Sequence, residues 1–164
     1  MIKLPENVMF SESVPYCKIT YSFEADADKL PQVTTPEEAY TYLMEIWDRD
    51  TISYKEEFLV LLLNINKVCL GWSRISSGGS SATIVDPAMI AQLALLTHAD
   101  SVILAHNHPS GKLKPSRADI HLTNRIAGSL KLLGITVNDH IILTLSSFYS
   151  FNEHDLIKPK LSFF

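Results

Sequence analysis

His106 and His108 stand one residue apart in the run His106-Asn107-His108-Pro109-Ser110-Gly111, and Pro115-Ser116-Arg117-Ala118-Asp119 follows within a short loop. Two imidazole nitrogens and one carboxylate oxygen suit a metal such as zinc, which in catalytic sites takes three protein ligands and keeps a fourth position open for water. Each part also has a plainer reading. Ser116-x-x-Asp119 has the spacing of a helix N-terminal capping pair, with an acidic residue in the first turn, and His-Asn-His alone could be a solvated turn. The combination is harder to account for that way, because the histidines close an apolar strand beside a helix start that carries a carboxylate.

The elements around these residues set how they meet. Residues 101–105, Ser-Val-Ile-Leu-Ala, read as a buried strand, which places His106 and His108 just past its end. Residues i and i+2 of an extended segment share a face, so both rings point one way and Asn107 the other. Pro109 and Gly111 bend the chain, and Pro115-Ser116 starts a helix with Asp119 on its first turn. The run Lys55-Glu56-Glu57-Phe58-Leu59-Val60-Leu61-Leu62-Leu63 reads as a central strand with two carboxylates at its entrance. A metal hydrolase needs one carboxylate outside the metal shell to move protons. Glu56 and Glu57 point to opposite faces of an extended strand, so only one can serve, and position alone leaves the choice open.

A chain of 164 residues, 46% hydrophobic and 20% charged, fits one globular domain with a good core. A formal charge of -4 argues against a surface built throughout for nucleic acid. Lys112, Lys114 and Arg117 surround the proposed site, and a solvated loop explains them as readily as a basic patch. Cys17 and Cys69 lack metal or redox spacing and read as free thiols in a reducing compartment. No stretch has the length and apolarity of a membrane span, and no signal-peptide pattern opens the chain, so the expected location is cytoplasmic.

Taken in order, residues 1–35 form an N-terminal arm without a catalytic constellation, in which Tyr16 to Phe23 alternates as a strand does. Such an arm packs on the domain or on a neighbour, which leaves a homodimer open. Thr35-Pro36-Glu37-Glu38 starts a helix as a capping box, and Tyr40, Leu43, Met44 and Trp47 line its core face. Asn66-Lys67 turns the chain into a hairpin arm over Val68 to Trp72, and Ser76 to Ser81 reads as a flexible turn, without the Lys-Ser/Thr of a phosphate-binding loop. Asp86-Pro87 caps a helix with a broad apolar face of Met89, Ile90, Leu93, Ala94 and Leu96, ended by His98. After the metal loop, Ile120, Thr123, Ala127, Leu130 and Leu133 form the buried stripe of a helix that stops at Gly134, with His121 off the stripe. Two strands follow, 135–137 and 141–145, joined through Asn138-Asp139, and His140 is assigned a structural role or one that orients another group. Phe148 to Phe151 is an edge segment, and residues 158–164 are expected to be a mobile tail. The order predicts an α/β fold: a three-layer mixed β-sheet with helices on both faces.

His-x-His, seven residues, then Ser-x-x-Asp matches without a gap the signature of the JAMM (JAB, MPN) metallopeptidases. His-Asn-His-Pro-Ser-Gly with Pro-Ser-x-x-Asp resembles the RadC branch, and the likeness extends through Glu56 to Asn64, Ser77-Gly78, Leu133-Gly134-Ile135 and Asp139 to Ile142. It covers residues 36–153 and so implies a RadC-like domain over 36–157 with the JAB/MPN, cytidine-deaminase-like architecture. It also implies one zinc per chain held by His106, His108 and Asp119, with Glu56 as the proton-moving carboxylate and Ser116 sharing an oxyanion with the metal. The activity implied is hydrolysis of a peptide or isopeptide bond in a peptide or protein substrate. Where relatives commonly carry Arg after the Pro of the middle helix, this chain has Ala88, and no helix-hairpin-helix module precedes the domain, which weakens direct DNA binding.

Other classes fit less well. A zinc nucleobase deaminase needs His-x-Glu and Cys-x-x-Cys, both missing, and His-Asn-His nucleases spread those residues through a ββα unit. The remaining alternative is a RadC-like metal-binding accessory protein in DNA repair, recombination or mobile-element biology, acting without peptidase turnover.

Overall fold

The computed structural model describes residues 30–78 and 85–159. Most of the predicted N-terminal arm, the turn beyond Gly78 and the last five residues therefore lie outside the described residues. Among those described, the elements are α1 (Pro36–Ile46), β1 (Glu57–Leu63), β2 (Cys69–Ser77), α2 (Pro87–Leu96), β3 (Ser101–Asn107), α3 (Arg117–Lys131), β4 (Thr136–Leu143) and β5 (Phe148–Ser150).

These strands make a single sheet in the order β2-β1-β3-β4-β5. β3 and β4 run parallel with α3 as their crossover, and every other pairing is antiparallel. The sheet is therefore mixed, as expected. β1 is buried along its whole length because both faces are covered. Phe58, Val60 and Leu62 pack towards α2 and α3, with Ile90, Ala94, Ile126, Ala127 and Leu130. Leu59, Leu61 and Leu63 alternate to the other face and meet Ala39, Leu43 and Met44 of α1 and Trp47, its C-cap. Two apolar layers thus enclose one sheet, which is the three-layer arrangement predicted.

Caps set the helices where the sequence placed them. Thr35 and Glu38 close a capping box on α1, Asp86 caps α2, and Ser116 with Asp119 closes a second box on α3.

Several boundaries differ. Ser76 and Ser77 belong to β2, not to a turn, because β1 supplies partners as far as Glu57. Of the α2 face, Ile90 and Ala94 are buried, whereas Met89 and Leu96 are exposed, since α3 covers only one side of that helix. Leu133 lies in the turn after α3 and is exposed; Ile126 takes the core position instead. Residues 135–137 and 141–145 are not two strands. β4 is continuous through Asn138-Asp139, which form a bulge rather than a connection: Val137 faces Val102 and Asp139 faces Ile103, leaving Asn138 as the extra residue. Lys158 is tied down, its N–H donating to Asn124 Oδ1 at 2.5 Å. No helix among the described residues is long and apolar enough to cross a membrane.

Candidate metal centre

β3 carries His106 further into the sheet than its sequence suggests. His106 and Asn107 are its last two residues, and His106 sits opposite Phe58 of β1. The strand's alternation then divides the three polar side chains. Val102 and Leu104 face α2 and α3, so His106 does too, while Asn107 shares the α1 face with Ile103 and Ala105. His108 follows outside the strand, in a turn that Gly111 closes with a left-handed φ of 74° and an N–H bond to the His108 carbonyl at 2.9 Å.

The capping box of α3 serves two purposes. The Ser116 N–H donates to Asp119 Oδ2 at 2.6 Å, and Ser116 Oγ accepts from the Asp119 N–H at 3.2 Å. This fixes the Asp119 carboxylate at the helix start, where it faces the histidines: Oδ1 lies 3.6 Å from His106 Nε2 and Oδ2 lies 3.7 Å from His108 Nε2. The two Nε2 atoms are 2.9 Å apart. Capping and ligation are thus compatible readings of the same two residues.

Chemistry of the donor set fits a cation. All three donor atoms lie within 4.8 Å of one another. Burial pushes the pKa of His106 down to about 4, which keeps its ring neutral and able to ligate. For Asp119, burial works to raise the pKa, but hydrogen bonds from His108 and Ser116 prevail and hold it well below the usual carboxylate range. His108 is raised, first by its hydrogen bond to Asp119. Its Nδ1 is 2.5 Å from the Lys112 carbonyl, which can only accept, so Nδ1 carries a proton and Nε2 is the nitrogen turned towards His106 and Asp119.

Two cavities open on this cluster. One of about 380 Å³ is lined by Tyr54, Glu56, His108, Pro109, Ser110, Lys112, Lys114 and Ser116. A smaller one of about 130 Å³ is lined by Glu56, Phe58, His106, Ala118, Asp119, Leu122 and His140. Glu56 borders both, so the structure brings it to the ligands. Glu57 turns to the other face and is buried there, its Oε1 held by Lys55 Nζ at 3.1 Å and Arg74 Nε at 3.3 Å. Lys112 and Lys114 line the larger cavity, while Arg117 and His121 are exposed on α3. A further cavity of about 390 Å³ lies by the start of α1, bordered by Asp139. No cluster of three metal-ligating side chains is found there among the described residues.

Sequence reasoning missed two contributors, Asn107 and Thr123, and left open which group His140 contacts. Asn107 is fully buried and clips the loop before β1: its Oδ1 accepts from the Glu57 N–H at 2.8 Å, and its Nδ2 donates to the carbonyls of Ile52 and Lys55, both at 2.7 Å. The segment carrying Tyr54 and Glu56 is thereby fixed to the end of β3. His140, read from the sequence as structural or as orienting another group, meets Thr123 of α3, which the sequence marked only as part of the buried stripe. His140 Nε2 is 2.7 Å from His106 Nδ1, and His140 Nδ1 is 2.6 Å from Thr123 Oγ1. Strand parity pointed to Asn107, but nothing local pointed to a bond between α3 and β4.

Residues 33–156 match the family described as the RadC-like JAB domain. A UPF0758 protein of Flavobacterium johnsoniae is 37% identical over 131 residues, covering 80% of this chain and 56% of that protein. The UPF0758 protein YfjY of Escherichia coli K12 is 42% identical over 103 residues, covering 63% of this chain and 64% of the relative. The chain thus spans between about half and two thirds of the length of these curated relatives. With its mixed sheet, flanking helices and His-His-Asp cluster, the chain belongs to the RadC-like JAB domain family.

Proposed function

We propose that this protein is a zinc-dependent hydrolase that cleaves a peptide or isopeptide bond, with one zinc per chain held by His106, His108 and Asp119. When bound, zinc lowers the pKa of water from about 15.7 to roughly 7 and polarises a carbonyl. The observation that carries the reading is convergence: His108, Ser116 and Glu56 border one cavity, His106, Asp119 and Glu56 border the other, and the three donors lie within 4.8 Å of one another.

The chain's own groups divide the remaining work. Glu56, adjoining both cavities, accepts a proton from the attacking water and returns it to the leaving amine, as base and then acid. Ser116 Oγ accepts the capping bond from the Asp119 N–H, so its own hydroxyl proton is available for the oxygen that gains charge at the substrate carbonyl. Tyr54, Pro109, Lys112 and Lys114 wall the space in which the rest of a substrate lies.

Zinc-loaded protein is to be assayed on quenched-fluorescent peptides and on lysine-linked isopeptides, beside Glu56→Gln. The reading expects turnover that falls by about 10²-fold or more in the variant while zinc content is unchanged. Equal rates in both proteins, or no turnover of any amide by the zinc-loaded wild type, would overturn it.

A further inference from the structure

A neutral imidazole ligates only through the nitrogen that lacks a proton, so His106 can serve the centre only with its proton on Nδ1. The contacts behind His106 have a fixed direction. They end on the backbone carbonyl of Asp119, which can only accept, 2.6 Å from Thr123 Oγ1. Thr123 has one hydroxyl proton, and this contact uses it. The same oxygen must then accept from His140 Nδ1 at 2.6 Å. His140 is fully buried, stacked on Phe151 with ring centroids 4.6 Å apart and set edge-on to Phe58 at 5.4 Å. Among the described residues no carboxylate makes an ion pair with its ring, so it carries a single ring proton; with that proton on Nδ1 its Nε2 accepts, and the donor is His106 Nδ1 at 2.7 Å.

We propose that Thr123, acting through His140, is a positioning residue that holds His106 in the Nδ1–H tautomer and keeps its Nε2 bare towards His108 and Asp119. The purpose of this order rests on the zinc reading; the order itself does not. The opposite order would leave Thr123 Oγ1 and the Asp119 carbonyl oxygen facing each other at 2.6 Å without a hydrogen between them. It would also place a proton on the nitrogen that faces the other two donors.

The bulge in β4 makes this contact available. Val137 faces α2 and α3, and without Asn138 as an extra residue the alternation would send His140 to the α1 face. With the bulge, His140 stands opposite Leu104 on the α3 side, between His106 and Thr123. Asn138 is itself anchored, its Nδ2 donating to Ser101 Oγ at 2.9 Å.

The test uses the whole chain, metal-free and then with zinc alone as probe. Long-range ¹H–¹⁵N spectra of the histidine rings in metal-free protein at neutral pH are expected to show His106 protonated on Nδ1 in the wild type and in Thr123→Ser. Thr123→Val, which keeps the volume but removes the hydroxyl, is expected to show protonated Nε2 in part of the population. Competition with a chromophoric chelator should then find zinc held about 10–100-fold more weakly by Thr123→Val, with Thr123→Ser close to wild type. A wild type with His106 protonated on Nε2, or a folded Thr123→Val with unchanged tautomer and zinc affinity, would overturn the proposal. A wild type that takes up no zinc yet shows the Nδ1–H tautomer would sink the zinc reading and support the proton order.

Discussion

Replacing Asn107 with alanine should loosen the frame of the centre while leaving its ligands in place. The side chain is fully buried and makes three hydrogen bonds, to the Glu57 N–H at 2.8 Å and to the Ile52 and Lys55 carbonyls at 2.7 Å each. Alanine leaves all three backbone groups without that partner. At about 1 kcal/mol for each lost bond, and more where the orphaned group stays dry, the cost is about 3 kcal/mol. For a chain of this size that corresponds to a fall in Tm of roughly 6–12 °C. Urea unfolding followed by tryptophan fluorescence measures it, since Trp47 is buried in the α1 layer. Asn107→Asp should be no better, because a carboxylate oxygen would replace Nδ2 against two carbonyls. Zinc content should survive in Asn107→Ala, as both histidines are held by other contacts. Turnover should fall, because Glu56 lies between two of the clipped residues. A loss of stability below about 1 kcal/mol would refute the view that this side chain fixes the loop.

Three further outcomes follow from the same geometry. Ser116→Ala should cost about 1 kcal/mol as a lost cap and lower turnover by about 10²-fold, whereas Ser116→Asp should restore the stability, measured by urea melts, without restoring the rate. Burial raises the pKa of Asp139, so its contribution to stability is present below the ordinary carboxylate range and is lost as pH rises through the raised value. Asp139→Asn should therefore gain stability relative to wild type between pH 4 and pH 7 in paired urea melts, at about 1.4 kcal/mol per unit of raised pKa. Cys69 is fully buried and its thiol pKa is raised by that burial; in a Cys17→Ser background a thiol reagent at pH 8 should modify it at about a hundredth or less of the rate seen in urea.

Much of the centre was legible because its logic is local. Helix caps, the i and i+2 histidines and the turn at Gly111 are set by neighbours within a few residues, and alternation along β1 separates Glu56 from Glu57. What escaped depends on pairings distant in sequence. The contact of Thr123 with His140 requires β3 and β4 to lie parallel with α3 crossing over them. A one-residue bulge at Asn138 inverts the facing of everything after it, and in sequence it looks like a polar connection. Leu133, Met89 and Leu96 carried the apolar spacing of a core stripe but are exposed, with no second layer over them among the described residues. Periodicity tells which residues share a face, not how far the covering element extends.

The central claim is that His106, His108 and Asp119 form one metal site, and metal analysis of protein purified without added metal, wild type beside His108→Ala, tests it most directly. The account predicts about one zinc per chain in the wild type and its loss in the variant. A wild type that holds no metal even after zinc is supplied, or a His108→Ala protein that holds as much as wild type, would contradict it.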